Sequence, residues 1–350
     1  MSKLISVVGP HFYAPNNPVN IQWSMGNTCN FSCNYCPTVL HDGTNPWMPK
    51  ETYLKTIEKV CDYYKEHTYM HNGEEKTRAM HWELIGGEVT TIPDFEEILQ
   101  KLYDYKANVT VYSNGSRTVR WWEEARNYLQ GVVLTYHPLT MDKQHFKDVV
   151  DVLKGHVTVD ISIAGISGQV AELYDYGEEL REMFNDDNGR QSIYDVSIAV
   201  KTLYKKLLGD NNNYDTQETW YEYSPYEIEI MQRPGVKPNP NPAPDNTPSH
   251  VKGDPKYWST EFKYDDGTVK YVQSHQIINE GLNKFGGMKC HLGSEGLNID
   301  MHGEIISSWC GAKSFGNITQ IKELELPTEH YTCSFEYCNN LNDISITKSL

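Results

Sequence analysis

Three cysteines fall within eight residues, Cys29-Asn-Phe-Ser-Cys33-Asn-Tyr-Cys36, with the spacing C-x3-C-x2-C. With 8 cysteines in 350 residues, about 0.004 such runs are expected by chance. Three thiolates on one short loop can hold three corners of a cubic iron–sulfur cluster. The fourth iron then lacks a protein ligand, and a small molecule can chelate it. The other reading of the same residues is a four-ligand zinc site, with His41 as the fourth ligand.

A second group lies near the other end. Cys290, Cys310, Cys333 and Cys338 are separated by 19, 22 and 4 residues. Four thiolates would saturate a cluster, which suits electron transfer or structural support. A four-cysteine zinc knuckle is the alternative. The eighth cysteine, Cys61, shares an apolar helical face with Leu54, Ile57 and Tyr64 and reads as a buried structural thiol. His291 and His302 lie near the second group and read as ordinary surface or hairpin residues.

Composition narrows the classes. Hydrophobic residues make up 39% and charged residues 22% of the chain. At this length that supports one large domain or two ordinary ones with a substantial core. Disulfide staples are then unnecessary, so the cysteine groups read as metal or redox chemistry. A net charge of −16 argues against broad nucleic-acid binding. No apolar run is long enough for a membrane span, and the amino-terminal apolar stretch is too short for a secretory signal. A cytoplasmic location is the default expectation.

These residues need elements to position them. Strands are expected at Asn20–Met25, His81–Ile85, Asn108–Ser113, Gly131–Tyr136, Val157–Ile163 and Asp195–Val200. Val157, Val159, Ile161 and Ile163 alternate as one strand face should. Phe95, Ile98, Leu99 and Leu102 have helical spacing, behind Pro93 in a first-turn position. Phe146, Val149, Val150 and Leu153 repeat it and stop before Gly155. Trp122, Ala125 and Leu129 mark another helix. The six-fold β-α alternation predicts a parallel sheet, either open or curled into a barrel, with ligands at the strand carboxyl ends.

Beyond residue 205 the order changes. Tyr214–Tyr226 is Tyr-rich and suits either a pocket wall or packing on an edge strand. Pro234–Pro255 holds seven prolines and reads as a linker or surface loop. From about Tyr257 a second unit is expected, with hairpin turns at Asp266-Gly267 and His302-Gly303. Leu297, Ile299 and Ile305 would lie on the arms of the second hairpin.

The first cysteine run, with Tyr35 in its aromatic slot, resembles the signature of the radical S-adenosylmethionine (radical SAM) superfamily. The resemblance spans about residues 18 to 345 through motif order. It implies a partial (βα)6 TIM-like barrel over residues 19–205, following a segment 1–18. A connecting segment 206–256 and a small α+β twitch-like domain over 257–350 complete the implied α/β architecture. It also implies a [4Fe–4S] cluster on Cys29, Cys33 and Cys36 with S-adenosylmethionine on the open iron. Gly86, Gly87 and Glu88 look like the family's GGE motif, which binds the cofactor's amino group. Ser113 and Asn114 resemble the element near the ribose and methionine moiety. Thr135 and Ile166 match positions that contact the cofactor, Ile166 loosely. No basic residue could be placed on the cofactor carboxylate.

The hairpin before Cys310, together with Cys290, Cys333 and Cys338, resembles the twitch form of the SPASM extension, which carries an auxiliary [4Fe–4S] cluster. Here six residues separate Gly303 from Cys310 where four are usual. The implied activity is reductive cleavage of S-adenosylmethionine to a 5′-deoxyadenosyl radical that abstracts hydrogen, with net oxidation or cross-linking of a substrate. The substrate would be a small molecule or short peptide, with an external electron donor such as flavodoxin or ferredoxin. Because Cys29 lies near the start, no separate peptide-leader-binding domain is expected before it. Two alternatives stand: a radical enzyme whose second site is structural zinc, and a non-enzymatic two-zinc interaction protein.

Overall fold

The computed structural model describes residues 2–9, 19–66, 68–71, 74–183, 196–204, 219–232, 259–327 and 330–350. The expected strand start at Asp195, the start of the second unit at Tyr257 and the proline-rich stretch 234–255 lie outside them. The fold is mixed α/β around a parallel sheet. In chain order the first elements are β1 (Leu4–Val8), β2 (Val19–Ser24), α1 (Lys50–Glu66), β3 (Thr68–His71), β4 (Glu74–Thr77) and β5 (Met80–Ile85). Next come α2 (Phe95–Asp104), β6 (Asn108–Ser113), α3 (Val119–Ala125), β7 (Gly131–Tyr136), α4 (Lys143–Leu153) and β8 (Thr158–Ala164). They are followed by α5 (Val170–Glu182), β9 (Val196–Lys201) and α6 (Pro225–Gln232). The rest are β10 (Thr260–Tyr264), β11 (Val269–Val272), α7 (Ser274–Asn279), β12 (Lys289–Cys290), β13 (Gly296–Ile299), β14 (Glu304–Ile306), β15 (Ser314–Asn317), β16 (Tyr331–Thr332), α8 (Leu341–Ile344) and β17 (Lys348–Ser349).

The large sheet has the order β15-β14-β13-β2-β5-β6-β7-β8-β9. From β2 to β9 all neighbours are parallel and follow chain order. With no reversal of order, the crossovers place their helices on one face. Accordingly α1 packs on α2, α3 on α4, and α5 on α6. The side chains alternate to match: Val109, Val111 and Ser113 of β6 are buried, while Asn108, Thr110 and Tyr112 are half-buried. The helix-facing core is aromatic, with Trp23, Trp82, Phe95, Trp122 and Phe146 at most 1% exposed. Trp23 meets Tyr53 at 5.3 Å and Trp82 at 6.0 Å. Burial of each such side chain contributes about 1.5–3 kcal/mol. Cys61 is fully buried in this core.

Several boundaries differ from expectation. Pro93 lies before the N-cap Asp94 and outside the first turn of α2. The first strand, β1, pairs with β10 and β17 in a sheet of order β11-β10-β1-β17-β12-β16. β1 therefore shares a sheet with strands from the other end of the chain, while β2 belongs to the large sheet. Likewise β13 lies parallel against β2, so the late hairpin extends the large sheet. Hairpin turns occur at Asp266-Gly267 and His302-Gly303. Tyr223 donates its hydroxyl to Gly165 O at 2.7 Å, which fixes the described part of the Tyr-rich segment beside β8 and β9. Among the described residues no helix is long and apolar enough to cross a membrane.

Candidate active site

The cysteine loop leaves the carboxyl end of β2. Asn27, 1% exposed, is its staple. Its Nδ2 donates to Val39 O at 2.9 Å, Asp42 Oδ1 at 2.7 Å and Thr44 Oγ1 at 3.1 Å. Its Oδ1 accepts Asn45 N at 2.8 Å. The loop 29–36 is thus tied at its base to the returning segment 39–45. Within it, Cys36 N donates to Cys33 O at 3.0 Å.

The glycines after β5 lie flat against this base. Gly87 N donates to Gly26 O at 3.1 Å and Glu88 N to Thr28 O at 2.9 Å. A Cβ on Gly87 would stand 2.1 Å from Thr28 O, and one on Gly86 2.7 Å from Gly26 O. Main chain meets main chain at both points, so neither position accepts a side chain.

Glu88 joins this strip to the next strand. It is fully buried. Its Oε1 accepts Ser113 Oγ at 2.8 Å, Thr90 Oγ1 at 2.6 Å and Thr90 N at 3.2 Å, and its Oε2 accepts Asn114 N at 2.6 Å. Burial raises its pKa against the opposing effect of those hydrogen bonds. All four partners donate, which suits the carboxylate. Asn114 is committed as well: its Nδ2 donates to Asn30 Oδ1 at 2.9 Å, and its Oδ1 accepts Ser116 N at 2.9 Å.

Cys29, Cys33, Cys36, Gly86, Gly87, Ser113, Asn114 and Thr135 line one cavity of about 320 Å³. Glu88 does not line it. Ile166 does not line it either: it is 5% exposed and packs in the hydrophobic core, the alternative that its loose match left open. Tyr35, 4% exposed, points its hydroxyl at His137 Nδ1, 2.8 Å away.

Sequence reading missed several lining residues. His137 directly follows β7, two residues after Thr135, and its place at a strand carboxyl end was the available signal. Phe31 lies in the cysteine loop and Leu40 just after it; His41, already weighed as a zinc ligand, also lines the cavity, with its Nδ1 buried without a partner. Gln22 and Tyr112 come from the sheet face, and Trp309 arrives from beside Cys310. No local pattern marked Trp309. Among the described residues, none of those lining the cavity is Lys or Arg.

The thiols are electrostatically strained. Burial pushes Cys36 up to about 11, and Cys33 and Cys29 add to the rise. Burial also raises Cys29. Crowded buried thiols gain most from a cationic centre that takes them as thiolates. Among the described residues no three His, Cys, Asp or Glu side chains converge on a single ion. Three thiols on one loop are the donor type that an iron–sulfur cluster takes.

The thiols of the second cysteine group act on one another electrostatically. Burial pushes Cys290 to about 11 and Cys310 and Cys338 to about 12. Cys338 feels both Cys290 and Cys333, and Cys310 feels Cys338. Asp343 accepts Cys310 N at 2.7 Å. Lys348, 1% exposed, lowers the pKa of Cys290 and Cys338.

Residues 23–167 match the family model of the radical SAM superfamily. That superfamily implies a [4Fe–4S] cluster and S-adenosylmethionine. No curated protein matches the chain. Among solved structures, SuiB of Streptococcus suis bound to the precursor peptide SuiA aligns at 12% identity, covering 87% of this chain and 63% of that one, with a TM-score of 0.45. BtrN in an open conformation aligns at 11% identity over 87% of this chain and 76% of that one, TM-score 0.35. SuiB bound to S-adenosylmethionine aligns at 16% identity over 55% and 41%, TM-score 0.34.

Proposed function

We propose that the chain is a radical SAM enzyme that removes hydrogen from a small-molecule or short-peptide substrate and oxidises or cross-links it. The observation that supports this most is the meeting of three crowded thiols and a side-chain-free Gly86-Gly87 strip on one cavity at the carboxyl ends of parallel strands. When bound to Cys29, Cys33 and Cys36, a [4Fe–4S] cluster supplies the electron that cleaves S-adenosylmethionine to methionine and a 5′-deoxyadenosyl radical.

The chain's own residues do the remaining work. Gly86 and Gly87 leave room for the methionine part of the cosubstrate against bare main chain. Glu88 fixes Ser113 and Asn114 relative to that strip, so in this reading it is a positioning residue. The Thr135 hydroxyl offers a polar contact on the opposite wall. Phe31, Leu40 and Trp309 give apolar walls that exclude water from the radical.

The six-strand parallel run is read here as a partial (βα)6 TIM-like barrel and the C-terminal cysteine region as a twitch-like unit. Cys290, Cys310, Cys333 and Cys338 would hold an auxiliary [4Fe–4S] cluster that accepts an electron from the substrate. An external donor such as flavodoxin or ferredoxin would reduce the first site.

The test is anaerobic reconstitution followed by S-adenosylmethionine and reductant. The expected outcome is brown protein with about eight irons per chain that forms 5′-deoxyadenosine. Colourless protein holding two zincs and forming none would overturn the reading.

A further inference from the structure

The sheet face opposite the helices is polar beneath the cysteine loop. Asn298, Gln22, Glu83 and Thr110 stand side by side in register on β13, β2, β5 and β6. They lie on the row below Ile85, Tyr112 and Asp160. Gln22 and Tyr112 line the cavity. Two residues of strand, about 6.6 Å, separate Glu83 from the row of Ile85 at the end of β5.

The hydrogen bonding of the lower row is one-sided. Gln22 Nε2 donates to Glu83 Oε2 at 2.8 Å. Gln22 Oε1 is buried with no partner, and so is Asn298 Oδ1 on a side chain only 5% exposed. Two buried acceptors thus await donors beside a carboxylate, an arrangement that costs stability unless a ligand completes it. Glu83 and Asp160 both act on the Tyr112 hydroxyl, behind burial, to keep it protonated.

Among the described residues, no Lys or Arg lines the cavity. Burial disfavours the charged form of His81, which contacts Thr110 Oγ1 at 3.2 Å. Lys201 stands at the exposed end of the edge strand β9.

We propose that Asn298, Gln22 and Glu83 form a subsite that recognises a cationic amine of the substrate. An ammonium carries three donors and no acceptor. It satisfies Gln22 Oε1, Asn298 Oδ1 and the Glu83 carboxylate together and places its charge beside Glu83. A carboxylate or phosphate would meet acceptors and like charge. A hydroxyl brings one donor to three acceptors. An amine held here directs the carbon chain behind it upward toward the three cysteines. Calling the bound amine a substrate rests on the radical reading above; its recognition by this row does not.

The test uses ligand-observed NMR titration of the full reconstituted chain with n-butylammonium and with neutral 1-butanol. High salt screens diffuse attraction to a protein of net charge −16. The wild type is expected to bind the ammonium at least about tenfold more tightly. Glu83→Gln removes the preference, and Asn298→Leu weakens it. Equal binding of both probes by the wild type overturns the subsite even if the variants fail to fold. An unchanged preference in folded Glu83→Gln also overturns it. 5′-Deoxyadenosine formation without added amine is measured on the same preparation. Its absence beside an intact amine preference overturns the radical reading alone; its presence without any preference overturns the subsite alone.

Discussion

The Tyr35 hydroxyl lies 2.8 Å from His137 Nδ1, with the two rings stacked at 12°. The same nitrogen is 3.5 Å from Cys33 Sγ, and Phe31 meets the imidazole edge-on at 5.8 Å. One imidazole after β7 therefore braces the middle of the cysteine loop. Burial lowers the His137 pKa to about 4 and raises that of Tyr35. At neutral pH the imidazole is therefore uncharged.

This pair predicts a pH dependence. The folded-state pKa of His137 is about 4, against an ordinary 6.5. On acidification the unfolded chain takes up the proton first. The stabilisation is fully present above pH 6.5 and is lost as pH falls toward 4, reaching at most about 3 kcal/mol. Urea unfolding of metal-free protein at several pH values should show a shallower loss for His137→Phe. Parallel curves would disprove it.

Glu88→Gln should damage the site by a different route. An amide in place of the carboxylate turns either its NH₂ toward Asn114 N–H or toward the Ser113 and Thr90 donors. A buried donor is then left without an acceptor, at about 1–3 kcal/mol. A lower melting temperature should accompany weaker S-adenosylmethionine binding. A positioning role predicts that both change together; weaker binding at unchanged stability would instead mean direct contact.

Cysteine replacement should separate the two groups. Cys333→Ser with Cys338→Ser should lower iron from about eight to about four per chain while 5′-deoxyadenosine still forms. Cys33→Ser should abolish 5′-deoxyadenosine. Unchanged iron in the double variant would rule out a second cluster.

Lys348 should anchor the carboxyl-terminal sheet. Its Nζ donates to the main-chain oxygens of Asp343 at 2.7 Å, Ile344 at 3.1 Å and Ile346 at 2.6 Å, and lies 4.9 Å from the Phe285 ring. Lys348→Met leaves three carbonyls without that donor and should cost about 3 kcal/mol or more. It also withdraws the positive charge beside Cys290 and Cys338, so iron should leave the second site faster under a chelator. Wild-type release rates and stability would refute this role.

The sequence by itself determined what short-range spacing encodes. The β-α alternation gave the strands of the parallel sheet to within about a residue at the described ends; β8, for example, begins at Thr158 where Val157 was expected. Glycine turns marked both hairpins, and the cysteine spacing marked the loop. Each signal acts over a few residues, where dihedral preference and side-chain periodicity decide the outcome. Tertiary structure decided the rest. His137 meets Tyr35 across 102 residues, Trp309 reaches the cavity, Ile166 turns into the core, and Leu4–Val8 closes a sheet with the last residues. These contacts depend on which strands pair and in what register. That choice belongs to the whole core, whose burial energy outweighs any local preference.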